Sequence, residues 1–582
     1  MSDEIGPIKL EILWSGLLSI TEEMSIALKR TAYSELVREA NDFSCAIFDA
    51  SGNMLAQTDW IGSPGHLGSI PNLVKNALKE YPPESLREGD VIATNDPFLG
   101  SGHLNDICIM TPIFDQGKLL AFAVNIAHHA DIGGRVAGGH IADSRSIFEE
   151  GIRIPLLKIS KAGKLNEDLL RMISVNVRRP YNLFGDLKAQ MSANHVGAKR
   201  LIEYMKDNEL EDLTPLAMAI IDATEREMRA AISKLPSGKY SDEDYMDGLV
   251  PGKPLKLKLT MEIEGDEMRL DWTGTSPQVE LGINSVYNYT HAYTIHAIKG
   301  ALAPTSPYNE GTLKPIEVYA PEGTIVNPKP PAPLSSRHIL SWHVSSLVFK
   351  VLSQVAPDRV LAAPGGTGGN MPQISGIDTK TGQPFIHVAI HAGGLGARPN
   401  ADGIHTFSFP PRAENIPIEV VETENPIIFE RFELLPDSAG AGKYRGGCGS
   451  VIRLRVVTDK PFTLANTGDR FEYAAGGLFG GKEGSRSMFI LNPGGPNERS
   501  LDPRATHALE PGSSIEYTLP GGGGYGDPLE REPMAVLEDV MNGIVSIERA
   551  KTDYGVVIDP TTMSVNFDET EKLRKFIMRT KS

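Results

Sequence analysis

Cysteine is scarce in this sequence: three in 582 residues, Cys45, Cys108 and Cys448, odd in number and widely spaced. That excludes a disulfide framework and a cysteine-rich zinc site, and it fits a reducing compartment. Positive charge is also in short supply. Asp and Glu number 74 against 57 Lys and Arg, a formal net charge of −17. Neither nucleic acid nor an anionic membrane is therefore expected as the main partner. No apolar run reaches the ~18 residues of a membrane span. The acidic start MSDEIGPIKLE lacks a signal-peptide core, so a cytoplasmic location is expected. No fixed-period repeat points to a solenoid. No G-x-S-x-G elbow occurs and Cys45 has a generic setting, so a Ser or Cys nucleophile has little support.

What is present describes a folded chain too long for one core, with 41% hydrophobic and 23% charged residues. Its 58 Gly and 41 Pro favour many turns over long bundles. Leu10, Leu13, Leu17, Ile20, Met24 and Leu28 recur at spacings of three and four, which predicts a helix from Pro7 to about Tyr33. Asp42 stands at the mouth of a strand ending at Asp49. The loop Ser63–Ser69 carries His66 and leads to a short helix, Pro71–Tyr81. Residues 166–234 read as helical, with Thr214-Pro215 opening a long helix Leu216–Leu235. Strands are expected at Leu255–Ile263, Met268–Thr273 and Ile316–Tyr319, and a helix at Ser335–Val355. The expected class is α+β and multidomain: helices mixed with antiparallel β-rich regions, and a glycine-rich, β-dominated C-terminal half. The expected units are 1–160 around a central hairpin, 161–236 helical, 237–333 β-rich, 334–530 glycine-rich, and 531–582 a helical tail.

The organising stretch is NDPFLGSGHLNDICIMTPIFDQGKLLAFAVNIAHHADIGG, residues 95–134. Two β-rich runs flank Asp115-Gln116-Gly117, which has hairpin-turn composition. Folding about Gln116 sets His103 almost opposite His128 and gathers His103/Asp106 and His128/His129/Asp131 at one end of the ribbon. Imidazole mixed with carboxylate is a ligand set for zinc, manganese or iron. Residues three apart on a regular strand face opposite ways, so His103 and Asp106 can share an ion only if Gly102–Asn105 is loop or bulge.

Other motifs weigh less. Gly476-Gly-Leu-Phe-Gly-Gly-Lys482 nearly matches a phosphate loop, but Glu483 stands where the magnesium-binding hydroxyl belongs. Residues 363–370 and 521–526 read as glycine turns. Ser335-Ser-Arg-His338 offers an arginine to an anionic substrate, although an arginine at a helix start more often lies on the surface.

The runs NDFSCAIFDASGNMLAQ, HLGSIP, NDPFLGSGHLND, AHHADIGG, EGIRIP, PLSSRH, LLPDSAGAGKYRGGCG, GGGGYGDPLER and DYGVVIDP occur in this order from residue 41 to 560. Together they resemble the hydantoinase B family, which includes the second subunit of ATP-dependent hydantoinases, the matching half of 5-oxoprolinase, and subunits of acetone and acetophenone carboxylases. The resemblance implies a hetero-oligomer in which an A-type subunit carries ATP and Mg and phosphorylates a cyclic amide. This chain would then hydrolyse the activated intermediate at one divalent metal ion (Mn, Zn or Fe). The ligand pattern carried over from the carboxylase relatives falls on Asp42, His103, Asp106 and His128. His129 and Asp131 become the acid/base candidates. The alternative that the resemblance leaves open is a subunit of an ATP-dependent ketone carboxylase.

Overall fold

The computed structural model describes residues 5–58, 63, 69–366 and 370–581. His66, part of the loop around it and residues 367–369 lie outside them. The apolar stripe noted above forms the helix Pro7–Thr31, which buries Leu13, Leu17, Ile20, Met24 and Leu28. It packs with the helices Pro180–Asp207 and Thr214–Ile232 on one face of a sheet. The second of these starts at Thr214, whose backbone N–H is taken up by Asp212 Oδ1 at 2.9 Å. Asp212 thus closes an Asx turn ahead of the helix, with Leu213 rather than Thr214 at the N-cap position.

That sheet contains β1 (Phe43–Asp49), β2 (Met54–Gln57), β3 (Val91–Thr94), β4 (Asp106–Asp115), β5 (Lys118–His128), β6 (Leu157–Lys161) and β7 (Lys164–Leu165). Its order is β2-β1-β5-β4-β3-β6-β7, and every neighbouring pair is antiparallel. Side chains alternate between its faces, as the period of two requires. Phe43, Cys45 and Ile47 meet the three long helices; Ala46 and Phe48 belong to a second core on the other side. This second core takes in the helices Tyr287–Leu302 and His338–Leu352 and a four-stranded sheet. That sheet comprises β8 (Gly238–Val250), β9 (Lys253–Glu264), β10 (Glu267–Asp271) and β11 (Ile316–Tyr319).

The C-terminal half is two further sheets around one core. β12 (Asn370–Ile377), β13 (Pro384–Val388), β16 (Phe462–Gly468) and β19 (Thr506–Leu509) form one. β14 (Ile427–Leu434), β15 (Ser450–Val456), β17 (Met488–Leu491), β18 (Arg499–Ser500) and β20 (Ser514–Leu519) form the other. The architecture is α+β with sheets that are antiparallel except for the parallel pair β10–β11, and among the described residues no helix is long and apolar enough to cross a membrane. The run Gly521–Gly524, read from sequence as a turn, is extended chain wedged between other backbones. A Cβ on each of the four would lie 2.1–2.2 Å from a backbone carbonyl oxygen. Only glycine permits that approach.

His391 is buried in this half, bonded through Nδ1 to the Tyr517 hydroxyl at 2.8 Å. Burial, then the nearby His387, push its pKa down to about 3. Unfolding restores an ordinary value near 6.5, so the unfolded chain binds the extra proton and stability falls as pH drops from about 6.5 toward 3. The expected loss by pH 4 is about 3 kcal/mol. Urea midpoints across that range should show it, and His391→Asn should flatten the curve; an unchanged curve in the variant would contradict this assignment.

Candidate metal centre

The hairpin turn is Gln116-Gly117, both at positive φ (48° and 81°), as a two-residue type I′ turn demands. Pairing runs Asp115 with Lys118 and Phe114 with Leu119, and then a one-residue bulge at Leu120 shifts Ile113 opposite Ala121. The shift moves the partner of His128 from Asn105 to Asp106, three residues beyond His103. On the other side of β5, Phe43 pairs with Ala127, and the His128 N–H donates to the Asp42 carbonyl at 3.0 Å. Asp42, His128 and Asp106 therefore form one rung across three strands, on the face turned away from the long helices.

His103 reaches the rung from a turn, since the Asp106 N–H donates to its carbonyl at 3.1 Å. Residues 102–105 are non-strand, which meets the geometric condition for His103 and Asp106 to share an ion. His103 Nε2 lies 3.0 Å from Asp106 Oδ1 and 3.2 Å from His128 Nδ1. His128 Nδ1 is 3.4 Å from Asp106 Oδ1 and 3.7 Å from Asp42 Oδ2. Across the cluster, the Ser335 carbonyl sits 3.0 Å from His103 Nδ1. A carbonyl only accepts, so the ring hydrogen is on Nδ1 and the Nε2 lone pair points at the Asp106 carboxylate. Burial, then the Arg337 guanidinium, push the His103 pKa down to about 4, so the ring is neutral at pH 7. Whichever tautomer His128 adopts, a lone pair and an anionic oxygen face each other inside the protein. A cation between them relieves that repulsion, and Asp42, His103, Asp106 and His128 are a fitting donor set for a divalent ion. The carbonyl contact of His103 is the outer support that orients a metal-binding histidine.

Arg337 is buried rather than on the surface. Its Nη2 donates to Asp106 Oδ2 at 2.5 Å, and its guanidinium lies 4.2 Å over the Tyr289 ring. The opposing charge beside Asp106 sustains a buried guanidinium. Gly102 makes room for it, because a Cβ there would fall 2.0 Å from Arg337 Nε.

His129 and Asp131 are not brought to this cluster. Consecutive strand residues face opposite ways, and His129 turns toward the long helix, where its Nε2 meets Gln190 Oε1 at 3.0 Å. Gln190 spends its amide hydrogens on Ile107 O and Asn125 Oδ1, so His129 is the donor. Asp131 accepts the backbone N–H groups of Gly133, Arg178 and Arg179 and the Arg178 guanidinium. Asp131 is fully engaged, and His129 is held by Gln190 through Nε2 on the face away from the cluster. The fold instead brings His140, in the glycine-rich stretch that follows the hairpin, to the cluster. Its ligand nitrogen lies with those of His103 and His128 inside a 4.8 Å span. Loop residues carry no periodicity, so no pattern in the sequence tied His140 to the hairpin.

The cluster opens on a small cavity of about 50 Å³. Its lining combines polar residues, Asp42, His128, His140, Arg337 and His338, with apolar ones, Met371, Ile390, Pro411 and Ala413. The family profile described as hydantoinase B/oxoprolinase matches residues 6–528. The chain belongs to that family. It is 31% identical to the B component of a putative D-/L-hydantoinase of Pseudomonas sp. (strain NS671), with 98% of each chain covered. It matches the crystal structure of ATP-dependent caprolactamase from Pseudomonas jessenii at 30% identity and a TM-score of 0.91, covering 98% of this chain and 100% of that one. A nucleotide-free acetone carboxylase structure shares the fold at 22% identity and a TM-score of 0.88, over 99% of this chain and 83% of that one.

Gly102→Ala should dislodge Arg337 and strand the Asp106 charge. The expected cost is about 3–5 kcal/mol of stability, with metal affinity reduced ~10-fold or more. Thermal melts and metal titration check both; an unperturbed Tm and affinity would contradict the close packing.

Proposed function

We propose that this chain is the metal-containing B-type component of an ATP-dependent cyclic-amide hydrolase, opening a hydantoin, lactam or 5-oxoproline ring. The observation that carries it is the Asp42–His128–Asp106 rung with the His103 lone pair turned into it. Names of full-length relatives support the substrate class: one is the B component of a hydantoinase, another an ATP-dependent caprolactamase. A hydantoinase A-type partner subunit would hold ATP and Mg and phosphorylate the amide oxygen, in a hetero-oligomer of paired subunits.

The glycine-rich runs of this chain favour that division of labour. Gly521–Gly524 are filled by backbone carbonyls, and Lys482 of the near-match phosphate loop is paired with Asp553 at 2.7 Å. A carbonyl lining repels phosphate, whereas a phosphate cradle needs N–H groups.

Asp42, His103, Asp106 and His128 would hold one Mn, Zn or Fe ion. Bound there, such an ion supplies a Lewis acid and a water ionisable near neutral pH. The side chains do the rest. Arg337 keeps the Asp106 carboxylate in place through Oδ2, leaving Oδ1 for the ion. The Ser335 carbonyl holds the His103 tautomer. Met371, Ile390, Pro411 and Ala413 would receive the ring carbons and exclude bulk water from the carbonyl. His338, among the polar lining residues, is positioned to carry the proton to the leaving nitrogen.

The test is ATP turnover and ring opening by the chain reconstituted with its A-type partner, against a panel of hydantoins, lactams and ketones. A cyclic amide should stimulate both, and His103→Ala should lower ring opening ~100-fold or more with the complex intact. Turnover stimulated only by a ketone with bicarbonate present would replace the hydrolase with a carboxylase.

A further inference from the structure

Resting on the metal reading above, we infer that His140 is a fifth ligand, so that three imidazoles and two carboxylates face one ion. The ring geometry carries this. The centroids of His103 and His128 are 4.9 Å apart, those of His103 and His140 5.0 Å, and those of His128 and His140 5.0 Å. Three imidazoles bound ~2.1 Å from a common ion, at angles between octahedral and tetrahedral, have centroids roughly 4.6–5.3 Å apart. All three distances fall in that window. The window for rings that meet only to fill space is broader, about 4.5–7 Å. His128 and His140 are parallel to within 5°, so one ion lies in both ring planes only where the two rings are coplanar, with His103 tilted 43–44° to them.

Two further observations agree. His140 is 4% exposed, and its Nδ1 is buried with no partner among the described residues. A buried ring nitrogen without a partner is costly unless something absent from the protein atoms engages it. Its backbone is also held from both sides. The Gln373 side chain accepts the His140 N–H at 3.1 Å and donates to its carbonyl at 2.5 Å. Ser335 Oγ accepts the Ile141 N–H at 3.1 Å and donates to the Ile141 carbonyl at 2.7 Å. Ser335 thus orients His103 through its carbonyl and the His140 segment through its hydroxyl. Gln373 belongs to β12, so the C-terminal half holds one of the ligands in place.

Three imidazoles and two carboxylates exceed the four donors zinc prefers, and such a set would suit Mn2+ or Fe2+ better.

The experiment uses the full chain loaded with Mn2+ or Co2+. In the wild-type protein, electron–nuclear double resonance on Mn2+ should resolve three imidazole nitrogens, and Co2+ should give the weak absorption of a five- or six-coordinate ion. His140→Ala should lose one nitrogen coupling and bind Mn2+ ~100-fold more weakly; Gln373→Leu should weaken binding ~10-fold without losing the coupling. Two nitrogens in the wild-type spectrum would overturn the inference without any variant having to fold. So would a His140→Ala protein with unchanged affinity and spectrum, even if its turnover fell. A wild-type chain that binds no divalent ion would defeat the metal reading itself, and this inference with it.

Discussion

Asp106 is the carboxylate on which the rest of the site depends. One oxygen takes the buried Arg337 guanidinium, and the other stands within 3.4 Å of two imidazole nitrogens. Taken out of water, such a carboxylate is tolerable only with its charge matched on every side. Arg337 matches part of it. The remainder is exposed to the His103 lone pair, whose direction is set by the Ser335 carbonyl. A cation between these atoms would balance the charges that Arg337 leaves unmatched.

The fold brings these atoms together by ordinary means. A type I′ turn and one bulge fix the register of β4 against β5, and β1 extends the same rung to Asp42. A slip of one residue would move His128 to the helix-facing side and bring His129 into its place. The long helices on that side guard the register with polar contacts: Gln190 and Asn194 bond to Asn125 and to β4 carbonyls beneath the sheet. Arg337 enters at the start of the helix His338–Leu352, through the gap that Gly102 leaves.

Much of this was legible in the residues and some was not. Helical periodicity located Pro7–Thr31, and turn chemistry with β-rich flanks located the hairpin. His103, Asp106 and His128 could be grouped because a short turn makes pairing nearly a matter of counting. The count missed by two residues: the turn centres between Gln116 and Gly117 rather than on Gln116, and the bulge, which nothing in Lys118–Ala121 announces, adds the second. His128 was set apart from His129 as the ligand, and the strand keeps them on opposite faces. His129 and Asp131, the acid/base candidates, lie off the cluster, against the long helix and the Arg178 segment. Arg337 and His140 were hidden for a different reason. Both reach the site through long-range packing, against Gly102 and Gln373, and no local pattern encodes a contact hundreds of residues away. The glycine runs misled in the same way. Extended glycine chains packed against carbonyls look like turns when only local freedom is considered.

The central claim is that this cluster is a divalent-metal site, and it is tested most directly by titrating Mn2+ into chelator-treated protein by calorimetry. One saturable site per chain, lost in Asp106→Ala, is the predicted result. The absence of saturable binding, or binding that survives the loss of Asp106 undiminished, would contradict it.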